Sequence, residues 1–100
     1  MIDIEKITKE VESGEAVFLD LRRDEEWDTG HAKLATRFEF ERFENGELPN
    51  IPKDMKIYTA CNAGGRAGRA KEILEEAGFT HVENAHGIMQ WKEAGGEVVI

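Results

Sequence analysis

Cys61 is the only cysteine in the chain, so no disulfide can form within it. Nothing then requires an oxidising compartment, and a reduced thiol fits the cytoplasm, which is the expected location. Long apolar runs are missing as well. None approaches the roughly 18 residues of a membrane span, and Met1-Ile2-Asp3-Ile4-Glu5-Lys6 is charged from its third residue, unlike the apolar core of a signal peptide. Basic residues are scarce: 13 Lys and Arg stand against 21 Asp and Glu, a formal charge of −8. That balance argues against a general nucleic-acid binder, which needs a basic stripe to neutralise phosphates. With a single cysteine and no close pairing among His31, His81 and His86, no metal site is expected, and no cofactor is expected either. Gly64-Gly65-x-x-Gly68 lacks the lysine and hydroxyl of a phosphate-binding P-loop. There is no internal repeat and no low-complexity segment.

What is present fits one domain over residues 1–100, with 40% hydrophobic residues for a modest core. Ile2-Asp3-Ile4 reads as a very short strand. A helix follows to about Glu12, with Ile4, Ile7 and Val11 on one face, and Ser13-Gly14 closes it. Ala16-Val17-Phe18-Leu19-Asp20 is a compact apolar run, the pattern of a strand buried on both faces of a parallel sheet. Asp24 is a candidate N-cap for a short helix carrying Glu25, Glu26 and Trp27, ended by Gly30. Alternation suggests a short strand near Thr36 to Phe38 and another short helix from Phe40 to Phe43, stopped by Asn45-Gly46. Pro49 and Pro52 bracket a loop. Lys56 to Ala60 reads as a strand, His81 to Asn84 as another, Gly87 to Glu93 as a helix with Ile88 and Trp91 inward, and Glu97 to Ile100 as a tail. Strands alternating with helices in this way imply an α/β fold with a mainly parallel sheet covered on both faces.

The stretch from Tyr58 to Ala70 concentrates the chemistry. It joins an apolar strand to an amphipathic helix, in which Ala67, Ala70, Ile73, Leu74 and Ala77 recur at helical spacing, and it places Cys61 at the junction. Between Asn62 and Gly65 the backbone amides have no strand or helix partner, and two consecutive glycines let the loop curl without Cβ clashes. Donors converging there form an anion nest reinforced by the helix dipole, so the Cys61 sulfur is expected to favour the thiolate. The competing reading is a buried structural cysteine; the glycines and the nearby arginines weigh against it. Arg66, Arg69 and Lys71 follow Cys61 closely, which suggests a locally positive mouth on an acidic body, suited to a small anionic substrate.

Three blocks together resemble the rhodanese family of sulfurtransferases. Asp20-Leu21-Arg22-Arg23-Asp24-Glu25-Glu26-Trp27-Asp28-Thr29-Gly30-His31 is similar to D-x-R-x-x-x-E-(aromatic)-x-x-G-H. Cys61-Asn62-Ala63-Gly64-Gly65-Arg66 is similar to the active-site loop C-x-x-G-x-R, and Gly87-x-x-x-Trp91-x-x-x-Gly95 to the closing helix. The resemblance implies a rhodanese-like three-layer sandwich, with a five-stranded, mostly parallel sheet between helices, and a Cys61 that carries a persulfide. Two departures stand out. Ala32-Lys33-Leu34-Ala35 replaces the family's usual I-P-G-A, and His86 stands where the family commonly has the first of two glycines, a place where a side chain alters substrate access.

On that reading, a small anionic donor such as thiosulfate gives sulfur to Cys61, the amides of Asn62, Ala63, Gly64, Gly65 and Arg66 cradle the persulfide, and cyanide or a thiol removes it. Arg66 orders the loop by pairing with a carboxylate, either Asp20 or Glu26, while Arg69 or Arg22 faces the substrate anion. The chain is expected to act as a monomer. The alternatives are a persulfide carrier serving a partner protein and a non-catalytic docking module. A phosphatase or arsenate reductase is a further one, but that chemistry needs C-x-x-x-x-x-R, and Arg66 comes one residue early.

Overall fold

Two apolar runs without alternation become the inner strands of the sheet, as burial on both faces requires. In the computed structural model, which describes residues 2–100, the order is α1 (Ile4–Glu12), β1 (Ala16–Asp20), α2 (Asp24–Trp27), β2 (His31–Ala32), β3 (Thr36–Arg37), α3 (Phe40–Glu44), β4 (Lys56–Cys61), α4 (Gly65–Glu76), β5 (Val82–Gly87), α5 (Ile88–Glu93) and β6 (Val98–Val99). The main sheet is all parallel, in the order β3-β1-β4-β5. It therefore has four strands, where five were expected. The remaining two, β2 and β6, pair antiparallel in a separate ribbon that joins His31 to Val99 and Ala32 to Val98.

Three layers result. On one face Phe43, Ala67, Ala70 and Leu74 of α3 and α4 pack with Leu19 and Ile57; on the other, Ile7, Ile88 and Trp91 of α1 and α5 pack with Phe18, Tyr58 and Ala85. From β1 the chain moves to one side of the sheet, to β3, and then crosses over to β4 and on to β5. The connections thus diverge at the carboxyl ends of β1 and β4, the place where open parallel sheets form their ligand crevice. Asp20 and Cys61 are the last residues of those two strands.

Several local expectations change. The opening is helical, because the Asp3 side chain accepts the Lys6 amide at 3.1 Å and caps α1. The cap position of α2 is Arg23, and Asp24 is already inside the helix. β3 is only two residues long, β5 continues past Asn84 to Gly87, and the expected tail contains β6. Among the described residues, no helix is long and apolar enough to cross a membrane.

Candidate active site

β4 delivers Cys61, a residue 2% exposed, to the floor of the turn into α4. Within that turn the Gly64 N–H donates to Cys61 Sγ at 3.1 Å, and the S–H donates to the His86 carbonyl at 3.6 Å. Of the loop amides, Gly64 is the one whose hydrogen bond reaches the sulfur, so the expected cradle is narrower than a ring of converging donors. Gly68 is the first residue of α4 whose amide bonds back, to the Gly64 carbonyl. The preceding amides of Gly65, Arg66 and Ala67 have no acceptor of that kind and form the positive end of the helix beside the thiol.

Glycine is required at position 64 for two reasons. Its φ is +120°, and a Cβ there would lie 3.2 Å from His86 Nδ1 and 3.3 Å from His86 Cα. Gly65 has neither constraint: its φ is not positive, and a Cβ there would find nothing within 4 Å. Gly87, opposite Cys61 in the ladder, is held by contact: a Cβ would come within 2.3 Å of the Asn62 carbonyl oxygen.

Arg66 closes the loop. Its Nη1 and Nη2 each donate to one oxygen of Glu26 at 2.8 Å, a two-point clamp between α4 and α2. Those hydrogen bonds, followed by one from the Arg23 amide, hold the Glu26 carboxyl down to about 2, while Arg66 is pushed up by the same partner. Asp20, the other carboxylate considered for Arg66, is taken by Arg22. Arg22 Nε and Nη2 reach Asp20 at 3.0 and 2.9 Å, and both residues are 3% exposed. Further bonds run from Arg22 Nη2 to the Gly30 carbonyl at 2.8 Å and from Nη1 to the Glu26 carbonyl at 3.2 Å. Arg22 therefore does not face a substrate. It anchors α2, and α2 positions Glu26, which positions Arg66. The spacing held a sign of this, since residues i and i+2 of an extended segment point the same way.

Arg69 does not border the sulfur either; it is exposed and paired with Glu72 at 3.2 Å along α4, and Lys71 is paired with Glu75 at 3.0 Å. The cations that follow Cys61 are thus each matched by a carboxylate, and the positive mouth expected from their clustering does not form. His31 braces its turn: Nδ1 lies 3.1 Å from the Trp27 carbonyl, and the ring stacks on Trp27 at 3.4 Å. Among the described residues, no three His, Cys, Asp or Glu side chains form a metal-binding cluster.

Sequence reading missed Asn84. Its Nδ2 donates to the Gly64 carbonyl at 3.3 Å and its Oδ1 accepts the His86 amide at 2.7 Å, so one amide side chain links β5 to the cysteine loop. A cavity of about 240 Å³ between α1 and β5 has Asn84, His86, Lys6 and Tyr58 in its wall.

The chain is similar in sequence and fold to known proteins. The chain is 36% identical over 72 residues to thiosulfate sulfurtransferase PspE of Escherichia coli, covering 71% of this chain and 69% of that protein. A solved structure of a rhodanese with anions from E. coli matches with a TM-score of 0.68 at 32% identity, over 84% of this chain and 96% of the other. A tRNA uridine(34) hydroxylase of Listeria monocytogenes is 36% identical over 80 residues, 73% of this chain but only 24% of that longer protein. The Rhodanese-like domain family profile matches residues 3–94, from the cap of α1 to the end of α5. With the cysteine loop, the arginine clamp and the parallel sheet all inside that span, the chain belongs to the rhodanese-like domain family.

Proposed function

We propose that the chain is a sulfurtransferase of the thiosulfate type, with Cys61 as the nucleophile. The Cys61 thiolate attacks the outer sulfur of thiosulfate; a Cys61–S bond forms as the sulfur–sulfur bond of the donor breaks, and its electron pair leaves on sulfite. The persulfide then gives that sulfur to cyanide or a thiol, whose attack restores the thiolate. Charge is conserved at each step, and no general base is needed once the sulfur is ionised.

The observation that carries this reading is the thiol at the end of β4 with the Gly64 N–H 3.1 Å from its sulfur, in a turn of four residues closed by Arg66. On that side the sulfur faces an amide donor and the first turn of a 12-residue helix, groups that offer hydrogen bonds to an incoming anion. A four-residue spacer encloses a smaller anion than the five-residue loop of cysteine phosphatases, which supports sulfur over phosphate. Similarity to a thiosulfate sulfurtransferase over most of both chains supports the same choice. A carrier that hands the sulfur to a partner protein uses the same intermediate and differs only in acceptor.

The test is the mass of the intact protein after exposure to thiosulfate. A gain of one sulfur atom is expected, absent in Cys61→Ser and discharged by cyanide as thiocyanate. Hydrolysis of p-nitrophenyl phosphate without any sulfur gain would replace this reading by a phosphatase, and no gain from any sulfur donor would replace it by a docking module.

A further inference from the structure

His86 is the one residue other than glycine with a positive φ among the described residues, at +65°. Such a conformation disfavours a side chain and persists only where surrounding contacts impose it. Here they are specific. Thr59 faces Asn84 across the β4–β5 ladder and Cys61 faces Gly87, so three steps along β5 match two along β4, and the extra residue lies in the Ala85-His86 segment. A bulge of this kind re-aims a side chain. The Asn84 side chain fixes it by accepting the His86 amide while donating to the Gly64 carbonyl.

The result is an imidazole laid against Gly64, the residue whose amide bonds the sulfur, with the His86 carbonyl on the sulfur itself. The side chain is exposed and also borders the cavity between α1 and β5, so it can be reached from solvent. No protein acceptor takes a hydrogen bond from its ring among the described residues. The arginines that follow Cys61 are occupied by Glu26 and Glu72, leaving this ring as a side-chain donor beside the loop that no carboxylate occupies.

We infer that His86 is a specificity-determining residue for the sulfur donor, its ring N–H holding a sulfonate-type oxygen of the donor while the outer sulfur meets Cys61. The inference rests on the sulfurtransferase reading above. Because the contact is to the part of the donor that does not form the new bond, it acts on binding and leaves the chemical step alone.

The experiment is steady-state thiocyanate formation from thiosulfate and cyanide by the wild type, His86→Asn and His86→Gly. Asparagine and glycine both accept the left-handed conformation, so neither variant is expected to lower the melting temperature. For both, KM for thiosulfate should rise roughly tenfold, the size of one hydrogen bond to a charged group, with kcat within about twofold of wild type and KM for cyanide unchanged. An unchanged KM for thiosulfate, or a rise that appears only together with a lower melting temperature, would overturn the assignment of His86 and leave the sulfurtransferase reading intact. A wild type that acquires no sulfur would overturn both.

Discussion

The Glu26 carboxylate meets both terminal nitrogens of Arg66 at 2.8 Å, and this contact sets its charge and its position together. An ordinary glutamate titrates near 4.5, whereas this one is held to about 2, chiefly by the Arg66 hydrogen bonds. Since the folded value is depressed, the pair stabilises the fold fully above the unfolded value and loses that contribution as pH falls through the folded one. Both side chains are about a quarter to a third exposed, so solvent screening reduces the contribution to about 1–2 kcal/mol. Glu26→Gln should lower stability by that amount at pH 7. The gap to wild type should shrink to under about half by pH 3, because the wild type is then losing the same interaction. Urea unfolding midpoints at the two pH values measure it, and a gap that stays constant would mean that the pair does not hold the loop through its charge. Sulfur loading from thiosulfate should slow in the same variant, since Arg66 loses its fixed partner.

At the scale of elements, the turn between β4 and α4 carries the fold's most specific demand, and it falls on one glycine of two. Gly64→Ala forces a side chain into a φ of +120° and into His86, and should cost about 2 kcal/mol or more along with most of the sulfur loading. Gly65→Ala meets nothing and gains helix propensity at the start of α4, so stability should rise by about 0.5 kcal/mol with loading retained. Equal losses in the two variants would show that the turn needs both. From the sequence the pair looked equivalent, because the sign of a backbone angle leaves no mark on residue type when both are glycine. The strand, the cysteine and the helix around them were legible, since continuous apolar runs and helical periodicity survive in a single sequence. The partner of Arg66 was legible only as a choice between Asp20 and Glu26; deciding it required knowing that Arg22 turns back onto Asp20. The ribbon of β2 and β6 was not legible at all. Two-residue strands have no period to detect, and their pairing joins His31 and Ala32 to a segment at the far end of the chain.

At the scale of the whole molecule, the formal charge of −8 acts on a doubly negative donor with no unpaired arginine beside Cys61 to oppose it, only the short-range field of the α4 amides. Arg22, Arg66 and Arg69 are bound to Asp20, Glu26 and Glu72, so the end of the sheet where Cys61 lies presents paired charges. Long-range repulsion should therefore slow the approach of thiosulfate at low ionic strength, and salt should relieve it as the Debye length falls to about 10 Å near 0.1 M. The expected result is a rise of about twofold in kcat/KM for thiosulfate between roughly 0.01 and 0.1 M salt, with an uncharged polysulfide donor unaffected. Were kcat/KM for thiosulfate to fall instead, some cation must face the mouth unpaired, and the arginine pairs described above would have to open when the donor arrives. The sign of that one slope thus separates a site that selects its anion by short hydrogen bonds from one that gathers it by field.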